Sequence, residues 1–118
     1  MDHAKLAVIG AGTMGAGIAQ VALEGGWDVS LFDTGAGATD RARDRIRQGL
    51  TRRAEKAGET APSAWAEARM LHLAVASTLA DAASGAQLVI EAALEDLPLK
   101  QALFADLGPR PQLASGFE

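Results

Sequence analysis

A change of hydrophobic period across three glycines constrains this chain more than any other feature. Leu6-Ala7-Val8-Ile9 is a continuous apolar run, as in a strand buried on both faces, and such strands belong to parallel sheets. The run stops at Gly10-Ala11-Gly12-Thr13-Met14-Gly15. From Thr13 onward Met14, Ile18, Val21 and Ala22 recur at helical spacing, which predicts a helix of about three turns with those residues on its apolar stripe. Gly25-Gly26 closes it. Val29, Leu31 and Phe32 then form a short β-prone run that ends at Asp33, so the opening third reads as a βαβ unit.

Thr34 to Thr39 is expected as a loop, and Asp40 can cap a long helix whose Ala42, Ile46, Gly49, Leu50 and Ala54 make a narrow apolar stripe. Gly58 to Pro62 breaks that helix. Ser63 can cap a shorter one running to about Met70. Further strands are expected over Leu71 to Val75, Gln87 to Ala92 and from Gln112 through Ala114, with a helix from Leu97 to Leu107 opened by Pro98. Alternating strands and helices imply an α/β fold, a Rossmann-type doubly wound parallel sheet with helices on both faces. With 118 residues there is room for one such domain and no second, so residues 1–118 are expected as a single unit.

The glycine turn sets a chemical expectation as well. Gly10 can turn tightly, Gly12 lets the backbone approach a pyrophosphate, and Gly15 lets helix and strand pack closely. Ala11, Thr13 and Met14 complete a loop whose N–H groups, with the helix dipole behind them, can hold phosphates without a lysine. Asp33 follows Gly15 by 18 residues, where an acid can accept hydrogen bonds from the adenosine ribose hydroxyls. Its carboxylate repels a 2′-phosphate, and Thr34-Gly35 places no arginine directly after it. NAD is favoured over NADP on that ground. FAD and S-adenosylmethionine sites share parts of the pattern, and glycines can also merely punctuate a turn.

Composition excludes other classes. Eleven basic against fifteen acidic residues leave a net charge of −4, which argues against neutralising phosphates along nucleic acid. The absence of Cys removes disulfides, iron–sulfur clusters and cysteine zinc sites, and His3 and His72 alone cannot supply a usual metal set. His72 is expected as a strand residue with a local hydrogen bond and His3 in a frayed terminus. Met1 to Lys5 lacks a basic leader and no long apolar run follows, so a cytoplasmic protein without membrane attachment is expected. Charge is nonetheless uneven: residues 40–56 carry +4 and the remainder −8.

The run Ala7-Val8-Ile9-Gly10-Ala11-Gly12-Thr13-Met14-Gly15-Ala16-Gly17-Ile18-Ala19-Gln20 resembles the opening of the 3-hydroxyacyl-CoA dehydrogenase family, which includes 3-hydroxybutyryl-CoA dehydrogenases. A second block, Leu88-Val89-Ile90-Glu91-Ala92 through Glu95, then Leu99-Lys100 and Ala102-Leu103-Phe104, is similar to a later segment of the same family. The resemblance implies an N-terminal NAD-binding domain in which Gly10 to Gly15 hold the diphosphate, Asp33 the adenosine ribose, and Glu95 and Lys100 lie near the nicotinamide. It further implies that the helix after Asp33 runs beside acyl-CoA, with Lys56 matching a CoA-contacting lysine, while Gly49 stands where relatives can carry a serine. Arg41, Arg45 and Arg52 could attract CoA phosphates, or could simply solvate a helix face.

Leu113-Ala114-Ser115 resembles the strand that leads to the family's Asn-Thr-Ser-Ser segment, but Gly116-Phe117-Glu118 stands in its place. The catalytic His, its Glu partner and the helical domain that forms the dimer lie beyond the matched residues in relatives. The expected function is therefore the cofactor half of an NAD-dependent oxidoreductase that converts 3-hydroxyacyl-CoA to 3-oxoacyl-CoA in fatty-acid or related metabolism. Little or no turnover is expected of this chain by itself. Two other readings stay open: a noncatalytic NAD-responsive or scaffold module that pairs with a partner or a second copy through an unfinished sheet edge, and a Rossmann protein using FAD or S-adenosylmethionine.

Overall fold

The computed structural model describes residues 4–92 and 113–115, the last three by backbone alone. Chain order is β1 (Lys5–Ile9), α1 (Thr13–Glu24), β2 (Asp28–Phe32), α2 (Ala38–Lys56), α3 (Pro62–Met70), β3 (Leu73–Val75), α4 (Leu79–Ala83), β4 (Leu88–Glu91) and β5 (Leu113–Ser115). The strands form one sheet in the order β3-β2-β1-β4-β5, and every neighbouring pair is parallel. The sheet is the doubly wound parallel arrangement read from the alternation of elements.

Strand alternation divides the core between two faces. Leu6 and Val8 of β1, Val29 and Leu31 of β2, and Ile90 of β4 pack with Ile46 and Leu50 of α2 and with Ala66 and Met70 of α3. Ala7 and Ile9 point the other way, onto Leu79, Ala82 and Ala83 of α4, together with Val89. Helices therefore cover both sides, with α4 opposite the rest. The α2 stripe is as expected: Ala42, Ile46, Gly49, Leu50 and Ala54 are its buried residues.

The α1 stripe is only partly so: Ala22 is buried and Ile18 packs, half-buried, against the core. Its buried residues are Gly15, Ala16, Ala19, Ala22 and Leu23, whereas Met14 and Val21 are 46% and 68% exposed. Hydrophobicity alone points to the larger side chains, but α1 lies so close to β1 that its inward face is made largely of small residues. Other limits shift for local reasons. Gly37, at φ 72°, precedes α2, so the helix begins at Ala38 and Asp40 lies inside its first turn instead of capping it. Pro62 occupies the first position of α3 after Ala61, which places Ser63 within the helix and not at its cap.

The third strand is shorter than expected. Leu71 terminates α3 and is 85% exposed, and His72 lies in the turn before β3, not in the strand. The ends of β4 and β5 move by a residue or so, as strand limits commonly do. A short helix, α4, is absent from the sequence reading because five residues cannot display a period; Thr78 caps it, its Oγ1 accepting from Asp81 N–H at 3.0 Å. The helix expected over residues 97–107 lies outside the described residues, as does His3. Among the described residues no helix is long and apolar enough to cross a membrane.

Candidate functional site

The chain leaves β1 for β2 and β3 on one side, then returns to β4 on the other, so the order reverses between β1 and β4. Loops at the carboxyl ends of these two strands border the crevice where open α/β sheets bind ligands. The glycine loop occupies that place. Gly10 N–H donates to the Phe32 carbonyl at 2.8 Å, and Ala92 N–H donates to the Ile9 carbonyl at 2.7 Å, which anchors the loop to both neighbouring strands.

The three glycines have separate jobs. Gly10 adopts φ 110°, a conformation that a side chain strongly disfavours. Gly15 is buried against Gly10, and a Cβ there would run into the Gly10 carbonyl oxygen. Gly12 is different: its φ of −76° suits any residue, and a Cβ would project into open space with nothing within 4 Å. Backbone angle thus explains Gly10 and packing explains Gly15, while neither explains Gly12. Its lack of a side chain clears the approach to the start of α1.

At that start the first helical bond runs from Ala16 N–H to the Gly12 carbonyl at 2.9 Å, so the N–H groups of Thr13, Met14 and Gly15 precede the ladder. No side chain among the described residues caps α1, and its first turn contains no acid. A helix end with these properties offers oriented N–H donors and the positive pole of the dipole to an anion.

Asp33 follows β2 and joins two loops. Its Oδ2 accepts from Ala11 N–H and its Oδ1 from Gly35 N–H, both at 2.6 Å. Each carboxylate oxygen retains a second acceptor direction, so this bracing leaves capacity for a ribose diol. The residues fit a dinucleotide in two respects: a side-chain-free approach to helix N–H groups, and an oriented carboxylate tied directly to the same loop.

Two arginines join this end of the molecule through the fold. Arg41 Nη1 donates to the Ala36 carbonyl in the Asp33 loop, and Arg45 Nη1 donates to Thr13 Oγ1, both at 3.3 Å. From sequence both were expected either to attract CoA phosphates or to solvate a helix face; their one-turn spacing at the start of α2 was the signal that they could face one neighbour together. Glu91, given no role from sequence, ends β4 opposite Ile9 and is 3% exposed. Glu95 and Lys100 lie outside the described residues.

The remaining candidates lie elsewhere. Lys56 is exposed at the far end of α2, roughly 27 Å along the helix from Ala38. Gly49 is buried where a Cβ would strike the Gln20 side chain of α1, so it serves the packing of the two helices. His72 sits at the opposite end of the sheet, its Nδ1 2.7 Å from Asp28 Oδ1. Among the described residues no three His, Cys, Asp or Glu side chains gather to hold a metal ion.

Comparison with known proteins bears on this arrangement. A family model described as 3-hydroxyacyl-CoA dehydrogenase, NAD binding domain, matches residues 5–111. The chain is 46% identical over 102 residues to 3-hydroxyadipyl-CoA dehydrogenase of Escherichia coli, covering 86% of this chain and 21% of that protein. It is 42% identical over 103 residues to the mitochondrial hydroxyacyl-coenzyme A dehydrogenase of Mus musculus, covering 85% and 33%. Among solved structures, a 3-hydroxybutyryl-CoA dehydrogenase from Escherichia coli superposes with a TM-score of 0.75 at 43% identity, covering 91% of this chain and 22% of that one. A diketoreductase that acts on dicarbonyl compounds gives a TM-score of 0.77 at 30% identity, covering 96% and 41%. The chain spans about a fifth to two fifths of the length of these four proteins.

Proposed function

Since the chain belongs to the 3-hydroxyacyl-CoA dehydrogenase family as its NAD-binding domain, we propose that it forms the cofactor half of an enzyme oxidising 3-hydroxyacyl-CoA to 3-oxoacyl-CoA. Bound NAD supplies a hydride acceptor. This chain's residues bind and orient it. Main-chain N–H groups at the start of α1, within the Gly10 to Gly15 loop, hold the diphosphate. Asp33 accepts hydrogen bonds from the adenosine ribose hydroxyls while its bonds to Ala11 and Gly35 keep both loops in place. Glu95 and Lys100 complete the site toward the nicotinamide, and Lys56 contributes a cation for CoA.

The observation that carries this reading is Gly12, a glycine that neither backbone angle nor internal packing requires, immediately before α1, where a Cβ would project into open space. The acyl-CoA substrate follows from what the relatives are named for. Oxidation of the 3-hydroxyl needs a base within hydrogen-bond reach of it, and His72 lies at the other end of the sheet. Calorimetric titration of the chain with NAD, FAD and S-adenosylmethionine tests the cofactor assignment: saturable binding of NAD is expected, and preference for either competitor would contradict it. With NADH and acetoacetyl-CoA, turnover is expected to stay far below that of full-length relatives. Rates comparable to theirs would overturn the assignment of a cofactor half.

A further inference from the structure

The loop after Asp33 contains an opposition of charge that chain order conceals. Residues 34–37 are Thr-Gly-Ala-Gly, with neither an acid nor a bulky side chain. Arg41, one turn into α2, folds back over this segment and donates to the Ala36 carbonyl at 3.3 Å. Its guanidinium lies so close to Gly37 that a Cβ there would come within 2.9 Å of Nη1. Gly37 therefore gives the chain its φ of 72° and leaves the guanidinium room against the loop.

Two arginines of the helix are engaged with carboxylates, Arg47 with Asp44 and Glu67, and Arg53 with Glu24. Among the described residues Arg41 has instead a neutral carbonyl as its partner. A dianionic phosphate is a far stronger acceptor than that carbonyl, and Arg matches phosphate geometry through paired donors. Residues 33–45 also carry Asp33, Asp40 and Asp44 on one side of the balance and Arg43 and Arg45 on the other, with Arg45 directed to Thr13.

We propose that Arg41 is a specificity-determining residue for the dinucleotide, the cation that meets a 2′-phosphate on the adenosine ribose and thereby opposes the exclusion imposed by Asp33. The inference rests on the dinucleotide reading above and deepens it. Asp33 favours the free ribose diol and repels the phosphate; Arg41 attracts the phosphate and contributes little to the diol. Preference for NAD is then a difference between two nearby groups, and NADP retains measurable affinity once the carboxylate charge is removed.

Calorimetric titration of the full chain with NAD and with NADP tests this, using the wild type, Asp33→Asn, Arg41→Gln, Arg41→Lys and the Asp33→Asn/Arg41→Gln double variant. Asp33→Asn is expected to move the preference toward NADP by about tenfold or more. Adding Arg41→Gln should remove about tenfold of the NADP affinity while changing that for NAD by less than about threefold, the scale of one charge-assisted hydrogen bond. Arg41→Lys should keep part of the NADP affinity, and thermal melting of each variant verifies that it is folded. An equal loss for both dinucleotides, or no detectable NADP binding by folded Asp33→Asn, would overturn the proposal. If NAD fails to bind even the wild type, the dinucleotide reading falls with it; NAD binding with an NADP/NAD ratio indifferent to residue 41 removes this proposal alone.

Discussion

The two ends of the sheet are built by different means. At the carboxyl end main-chain atoms dominate: the Gly10–Phe32 and Ala92–Ile9 bonds, the bare start of α1, and a carboxylate whose recorded partners are backbone N–H groups. At the amino end side chains add to the main-chain bonds that join neighbouring strands, such as Asp28 N–H to the Ala4 carbonyl and Gln87 N–H to the Lys5 carbonyl. His72 pairs with Asp28, and Gln87 Oε1 accepts from Lys5 N–H at 3.1 Å. Side chains can satisfy one another and close a surface. Main-chain donors aimed outward from a helix start present oriented polarity to a ligand. On the proposed reading, the contrast separates residues that matter for folding from those that matter for binding, even where both kinds are glycine.

Gly15→Ala should produce the largest effect, because the added methyl meets the Gly10 carbonyl, a backbone atom that cannot step aside. A stability loss of about 1–3 kcal/mol is expected together with loss of NAD binding, since the loop and helix must separate. Denaturant titration and calorimetry measure the two quantities. Unchanged stability would show that α1 has more freedom to shift than its Ala-rich inner face implies.

Gly12→Ala sharpens the comparison. Its methyl enters open space at an ordinary backbone angle, so stability should change by no more than about 0.5 kcal/mol. NAD affinity should nonetheless fall at least tenfold, roughly 1.4 kcal/mol or more. Equal affinity for variant and wild type would leave Gly12 without a ligand role.

Asp33→Ala comes next. Removal of the carboxylate takes away the bonds to Ala11 and Gly35 as well as the ribose acceptor, so NAD binding should weaken by about tenfold and the preference over NADP should narrow. An unchanged preference would assign Asp33 to loop bracing alone. At the amino end Asp28→Asn should have the smallest effect, about 0.2–1 kcal/mol of stability, because the His72–Asp28 pair is about 40% exposed on both sides. NAD affinity should not follow it; a parallel loss of binding would break the separation between the two ends.

Much of this architecture was legible because the signals were local. The apolar run of β1, the glycines after it and the five-residue stripe of α2 each express backbone or packing demands within a few residues. Where two helices or two loops meet, sequence spacing was a poorer guide. Met14 and Val21 belong by hydrophobicity to a buried stripe, yet Ala16 and Ala19 take the inner face because only small residues allow so close an approach. Asp40 has the chemistry of a cap, but Gly37 turns the chain earlier. Arg41 lies eight residues beyond Asp33 in sequence, and only the turn through Gly37 brings its guanidinium onto the same loop.

The most direct test is a crystal structure of the chain with NAD bound. The diphosphate should rest over the N–H groups at the start of α1, with the adenosine ribose hydroxyls on the Asp33 carboxylate. A nucleotide bound along α2 or at the amino end of the sheet, or a glycine loop covered by the chain's own residues, would contradict the account.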